Sequence, residues 1–345
     1  MQTSKGNIAH KHLPLFLLLP WCLLNCCDAA FAERIRAFVP NKPWEVEIEI
    51  ADFEPWDVLQ PKTILGGSTT NGVLVTITLE KEEPSTTPAQ ALAKYWHYGA
   101  PDQYIMEFTN ASIVVVSAKT TQSVLGLAFN GYAVKDDCSF DIHLSADLAR
   151  MTRQQVIGTI RSFKVKPSPE QQAMEKLARD LTVTKEQSSQ ERLLLAFTKQ
   201  YPRNSWAFAR LGEVYYGGKQ RALAEKAYVH ALANHKTQPM INPNNLWLCY
   251  DGLGLIYAMS QRYDAAKLYF EKGYQCAEDM DSNEKLASSA YNLACWYSET
   301  GDVKSCLKYL AQAVELNPEK KTKAKTDLSF GAMKGKVEFQ KLISD

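Results

Sequence analysis

Three stretches of this chain follow one pattern: FARLGEVY at 208–215, YDGLGLIY at 250–257 and AYNLACWY at 290–297. Each has a leucine, then a small residue (Gly212, Gly254 or Ala294), and a tyrosine three positions later. The order of small and large residues continues downstream at Ala224, Tyr228 and Ala231; at Ala266, Phe270 and Gly273; and at Cys306, Leu310 and Ala313. A pattern that returns in this way indicates a structural repeat.

These spacings suit pairs of antiparallel helices. Small residues let the backbones approach where the helices cross, and large apolar residues fill the space between them. A pattern of about 34 residues of this kind resembles the tetratricopeptide repeat (TPR), and the resemblance covers about residues 171–345. It implies an all-α TPR solenoid with repeats from 205, 247 and 287, a degenerate unit at 171–204 and a C-terminal capping helix. In that helical cap, Phe330 and Phe339 are expected to cover the last apolar face.

Residues 33–166 have a different pattern, which predicts short strands. The segment 45–50 alternates strictly, so we expect Val46, Ile48 and Ile50 on a buried face and the glutamates between them in water. Further apolar runs lie at 73–79, 113–116, 124–128 and 140–144. Asn130-Gly131 predicts a hairpin turn within this part of the chain.

Two helices are predicted among these strands. Thr87 followed by Pro88 is a typical helix start, and Ser145 is predicted to open a second helix that continues through Val156 and Ile160. The order favours an α+β N-terminal antiparallel sheet with covering helices, followed by the helical solenoid. This half resembles the sandwiches of the PsbP type, whose fold serves assembly and binding roles. Lys166-Pro167-Ser168-Pro169 then marks the boundary between domains at 33–166 and 167–345.

Residues 1–32 are predicted to be a secretory signal peptide. A basic start precedes the leucine-rich run 13–24, which is too short to span a bilayer as a helix, and Ala30-Phe31-Ala32 fits a peptidase site. We expect an exported protein, periplasmic or secreted, with no membrane span after cleavage. The alternative is a lipoprotein modified at Cys26, although Asn25 stands where a small residue is usual.

The balance of basic and acidic residues indicates which classes of partner to expect. Lysine and arginine total 39 and the acids total 38, and the predicted signal peptide itself carries the net charge of +1. The remaining chain is neutral and lacks the basic excess of nucleic-acid-binding domains, so we expect no nucleic-acid partner.

The sequence contains no recognisable catalytic, cofactor or metal motif. Gly126 and Gly131 have the spacing of a phosphate loop, but Tyr132 stands where a lysine is needed. His97 and His143 have no nearby nucleophile signature, and no cysteine after residue 32 belongs to a C-x-x-C pair. We therefore expect a non-enzymatic protein without a cofactor. The alternative is an enzyme or a small-ligand-binding N-terminal domain whose substrate or partner the repeats recruit.

The resemblance to TPR proteins implies a concave groove that holds a protein or peptide. The groove positions of the first helix of each repeat are mainly apolar and aromatic, and the charged clamp of chaperone-binding repeats is absent. The predicted groove residues are Trp206, Tyr216, Leu248, Leu255, Met259 and Tyr291. The alternative is that some of these side chains pack on the neighbouring helix or under the first domain.

The signal-peptide prediction has a direct test. Mass spectrometry of the protein purified from its native source should give a mature N-terminus at Glu33, because cleavage follows the small-x-small site. An N-terminus at Cys26 that carries acyl chains would instead establish the lipoprotein alternative.

Overall fold

The computed structural model describes residues 32–83, 86–96, 104–110, 112–119, 127–145, 151–239 and 242–344. The predicted signal peptide up to Phe31, the lipidation alternative at Cys26 and His97 lie outside these residues. The chain from Ala32 onward forms one compact unit. In this unit, sheets come first and a series of helices follows.

The sheets are antiparallel throughout the described residues. The strands are β1 (Glu33–Phe38), β2 (Trp44–Ile50), β3 (Phe53–Pro55), β4 (Thr63–Thr69), β5 (Leu74–Lys81), β6 (Tyr104–Thr109), β7 (Ile113–Lys119), β8 (Leu127–Lys135), β9 (Cys138–Ser145) and β10 (Lys164–Pro167). Their order is β1-β2-β10 in a three-stranded sheet and β3-β4-β5-β9-β8-β7-β6 in a seven-stranded sheet.

The two sheets share one apolar core. Val46, Ile48 and Ile50 of β2 are buried in it, as their alternation predicts, together with Phe140 and Ile142 of β9. Two helices, α1 (Pro88–Trp96) and α2 (Arg153–Arg161), cover the larger sheet. Ile160 of α2 joins this core, whereas Leu92 of α1 packs on the other face with Val114, Val116 and Tyr132.

The prediction that the glutamates of β2 lie in water was wrong for two of the three. Glu45 and Glu47 are 3% and 5% exposed, and only Glu49 is exposed. Alternation predicts which residues share a face, but it cannot show that the second face is also covered. Here Lys166 of β10 lies 3.2 Å from Glu45 and 2.6 Å from Glu47, and Ser168, just before the helical half, donates to Glu45 at 2.9 Å.

Two local predictions in this half were also wrong. Asn130-Gly131 is not a turn but lies inside β8, where glycine is required because a Cβ atom at Gly131 would come within 2.2 Å of Ile160. The second helix begins at Arg153 rather than after Ser145, which ends β9. Its N-cap is Thr152, which exchanges hydrogen bonds with Gln155 in a capping box.

The helical half consists of antiparallel pairs followed by a short C-terminal segment. The helices are α3 (Pro169–Val183), α4 (Gln187–Gln200), α5 (Ser205–Gly217), α6 (Arg221–His235), α7 (Pro243–Met259), α8 (Tyr263–Asp279), α9 (Asn283–Thr300), α10 (Val303–Leu316), α11 (Glu319–Thr326), a 3-10 helix (Leu328–Met333) and α12 (Val337–Ile343). This arrangement is consistent with TPR-like repeats.

The small residues of the motif lie where aromatic rings meet a helix backbone. A Cβ atom at Gly212 would come within 2.5 Å of the Tyr228 ring, and one at Gly254 within 2.4 Å of the Phe270 ring. A Cβ atom at Gly252, in the next repeat, would also come within 2.5 Å of the same Tyr228 ring. Glycine at these positions therefore sets the close approach of helices both within a repeat and between repeats.

The C-terminal segment covers the last pair of helices. Phe330 and Phe339 are fully buried, with ring centroids 5.4 Å apart. Phe330 also meets the ring of Tyr291 on α9 edge-on at 5.6 Å. The segment therefore buries apolar surface that α9 and α10 would otherwise expose.

A buried ionic network joins the sheets to the helices. Arg36 of β1 donates to both carboxylate oxygens of Glu45 on β2, at 3.0 and 2.5 Å, and to Glu170 of α3 at 2.9 Å. The other oxygen of Glu170 accepts from Asn204 at 2.9 Å and from Gln238 at 3.1 Å. Burial opposes ionisation of Glu45, but the hydrogen bonds and charge of Arg36 hold its pKa below the usual range. The network therefore keeps the Glu45 carboxylate charged inside the protein.

Replacing Arg36 by methionine tests this network. The variant Arg36→Met should lose about 3–5 kcal/mol of the free energy of unfolding, because the buried Glu170 loses the guanidinium and Glu45 is left with Lys166. Urea titration followed by far-UV circular dichroism measures the loss, and the helical signal should shift with it. The double variant Arg36→Met/Glu170→Gln should recover part of the loss, since residue 170 is then neutral and Glu45 retains Lys166. If the single variant loses less than about 1 kcal/mol of the free energy of unfolding, which is the value of an exposed ion pair, the network does not behave as a buried one.

Candidate functional site

The structure distributes the six predicted groove residues over different environments. Leu255, Met259 and Tyr291 line one pocket between α7, α9 and the C-terminal segment. Trp206 lines a separate crevice beside the sheets. Tyr216 and Leu248 are half-buried and pack against the apolar core of the helical half.

The pocket that contains Leu255, Met259 and Tyr291 is called the concave pocket below. Its volume is about 220 Å³, and the C-terminal segment adds Lys323, Asp327 and Ser329 to its lining. Met259 is 54% exposed and Leu255 is half-buried, so these two side chains offer an accessible apolar surface.

Tyr291 lies in a more enclosed position than its neighbours. It is 1% exposed, its hydroxyl donates to Asp327 at 2.9 Å, and the ammonium of Lys323 lies 4.5 Å from its ring centroid. In this structure Tyr291 therefore packs on the neighbouring segment, which is the alternative that the sequence left open.

An acidic group lies on α7 beside the apolar residues. Asp251 accepts a hydrogen bond from the side-chain nitrogen of Asn292 at 2.6 Å. Burial raises the pKa of Asp251 to about 6, and the amide of Asn292 and the charges of Lys285, Lys320 and Lys323 offset only part of this effect. At neutral pH the ionised carboxylate of Asp251 therefore lowers the stability of the folded helices.

The crevice that contains Trp206 is called the interface crevice. It has a volume of about 500 Å³ and lies between the turn after β1, the start of α3, the start of α5 and the connection from α6 to α7. Its polar residues include Gln171 and Gln238, which the sequence did not identify as a site. The only signal was the long connection between the first two full repeats, because the residues that meet there are distant in the chain.

A chain of polar side chains crosses the sheet face on which α1 packs. The amide nitrogen of Asn130 lies 3.0 Å from an oxygen of Asp141 and 3.1 Å from Nδ1 of His143, while Nε2 of His143 lies 2.9 Å from Oγ of Ser145. Because the amide nitrogen must donate to Nδ1, the imidazole proton is on Nε2 and is donated to Ser145. In this arrangement His143 does not accept the proton of Ser145, as activation of a serine nucleophile requires.

The cysteines are unpaired in the described residues. Cys138, Cys249, Cys276 and Cys306 are buried and Cys295 is half-buried. Burial raises the pKa of the Cys306 thiol to about 11, which keeps it protonated at neutral pH.

Within the described ranges no group of three or more His, Cys, Asp or Glu side chains is placed to hold a metal ion. None of the helices described here is both long and apolar enough to cross a bilayer.

The raised pKa of Asp251 predicts a pH dependence of stability. The folded state binds the proton up to about pH 6, whereas an unfolded aspartate releases it near pH 3.9, so this group lowers stability as pH rises between these values. The variant Asp251→Asn should therefore gain up to about 3 kcal/mol over the wild type at pH 7.5 and nothing near pH 4. Thermal melts across this pH range measure the difference. An equal gain at both pH values would show that ionisation is not its cause.

Comparison with known proteins gives a limited result. No protein-family model matches the chain, and no curated protein matches it. Among solved structures it is similar to YrrB, described as a TPR protein with an unusual peptide-binding site. The similarity covers 51% of this chain and 89% of YrrB, at 13% sequence identity and a TM-score of 0.38.

Proposed function

We propose that this protein is an exported, non-enzymatic adaptor or assembly factor. Its helical half binds a protein or peptide partner on the apolar surface of the concave pocket. The observation that carries the proposal is the exposed side chain of Met259 beside Leu255, in a pocket formed by two helices and the C-terminal segment.

The chemistry of this pocket suits an apolar side chain of a partner. Met259 has an unbranched thioether that adapts to irregular shapes, and such residues are common at surfaces that bind peptides. Lys323, Asp327 and Glu299 lie at the edge of the pocket and offer polar contacts around the apolar centre. An amphipathic helix or an extended peptide with one large apolar residue has the matching chemistry.

The predicted export to the periplasm or the exterior remains part of the proposal. It rests on the leucine-rich segment and the peptidase site of residues 1–32. The alternative function, an enzyme or a small-ligand-binding N-terminal domain that the repeats assist, requires an open site within the sheets. Ile48, Phe140 and Ile142 fill the space between the two sheets, which supports the adaptor over this alternative.

The groove is tested by placing a charge in it. A partner is first recovered by cross-linking in the native envelope and purified, and its dissociation constant is then measured by calorimetry. The variant Met259→Glu should weaken binding at least about tenfold, because a buried carboxylate would replace an apolar anchor. Its melting temperature should stay within about 1 °C of the wild type, because this side chain is largely exposed.

Leu268→Glu provides the matched control. Leu268 is 51% exposed and lies on α8 of the same repeat, outside the concave pocket. Its binding should equal that of the wild type within about twofold, given the small effects of distant surface changes. Equal binding by Met259→Glu and the wild type would remove the concave pocket from the proposal.

A further inference from the structure

The interface crevice contains two buried hydrogen-bond acceptors that lack a donor. Gln171 and Gln238 are each 3% exposed, and the side-chain oxygen of each is buried without a hydrogen bond. Their nitrogens donate to oxygens: that of Gln171 to the Val39 carbonyl at 2.7 Å, and that of Gln238 to Glu170 at 3.1 Å. These bonds fix which end of each amide is nitrogen, so the unpaired atoms are acceptors.

Unpaired acceptors of this kind are uncommon in folded proteins, because burial removes their bonds to water without replacement. Two of them line the same cavity here. Each oxygen is itself inaccessible, so it meets a ligand in the cavity only after its amide turns about the soft terminal torsion. That turn exchanges the present hydrogen bond of each nitrogen for one from the ligand to each oxygen. In this way the crevice can receive two hydrogen bonds from a ligand.

The rest of the lining is apolar apart from amides, a hydroxyl and one carboxylate. Phe38, Met174 and Trp206 come from three separate elements and form apolar walls around a volume of about 500 Å³. Cavities of this size, with apolar walls and few polar groups, are typical of sites for small organic molecules, and they often lie where two parts of a protein meet.

The charge of the residues that line the crevice indicates which charge a bound ligand carries. Glu175 is the one charged side chain among the described residues that line it. Glu175 is exposed and accepts a hydrogen bond from the nitrogen of Gln171 at 3.2 Å, and its negative charge opposes an anion in the crevice. A positively charged group with several N–H donors satisfies Glu175 and the two amide oxygens and can also contact the face of Trp206.

We propose that the interface crevice binds a small organic amine with an apolar body. The apolar part packs against Trp206 and Met174, and the ammonium group donates to the oxygens of Gln171 and Gln238 near Glu175. This site is separate from the concave pocket and from the adaptor function assigned to it. It uses the sheets and the helices together, so the ligand would also hold the two halves in place.

A matched pair of probes tests the proposal on the mature protein. Calorimetry with 2-phenylethylamine and with 3-phenylpropionate compares two molecules that share a ring and a two-carbon chain but carry opposite charges. The amine should bind at least about tenfold more tightly, and it should shift the ¹³Cδ resonances of Gln171 and Gln238 in glutamine-labelled protein. Equal binding of both probes, no saturable binding of the amine, or unchanged glutamine resonances would each overturn the proposal.

Variants separate the crevice from the adaptor site. Glu175→Gln should weaken amine binding about threefold to tenfold, because it removes a partly screened charge, whereas Glu315→Gln on α10 should leave it unchanged. Trp206→Ala should weaken it at least about tenfold. Met259→Glu should leave amine binding unchanged, so failure of the adaptor proposal and failure of this one give different results.

Tighter binding of an acetylated lysine tripeptide amide than of the amine would assign the crevice to a polypeptide and overturn the proposal.

Discussion

The contact between Arg36 and its two carboxylate partners determines how the molecule is built. Buried ions are stable only when they are paired, and this guanidinium pairs Glu45 of the sheets with Glu170 at the start of the helices. Two further contacts extend the interface. Lys236 reaches Glu54 at 2.5 Å and the hydroxyl of Tyr250 approaches Asp57 at 3.4 Å, so the sheets also contact helices farther along the array.

This interface forms one of the two candidate sites and not the other. The crevice beside Trp206 exists because the turn after β1 stands against α3 and the connection before α7. The concave pocket depends instead on the C-terminal segment, which reaches across α9 to bury Tyr291. One site is therefore defined by the junction with the sheets, and the other by the far end of the helices.

The sequence predicted what local patterns determine. The small residues at Gly212, Gly254 and Cys306 identified the helix crossings, and the alternation in β2 identified its buried face. The second face of β2 and the strand around Gly131 could not be predicted, because their environments come from distant residues. The same reason applies to the interface crevice, whose lining residues come from four separate segments. The enclosure of Tyr291 likewise depends on where the C-terminal segment folds back.

The ring of Tyr228 has a wider significance for the architecture. The ring lies between Gly212 of its own helical pair and Gly252 of the next. A single side chain therefore contacts two consecutive units where their helices approach closely. The connection between these units is longer than a minimal repeat requires. Its extra residues, among them Gln238, Pro239 and Asn242, form a wall of the interface crevice, so the same junction that brings Gly252 against the ring also supplies part of a cavity.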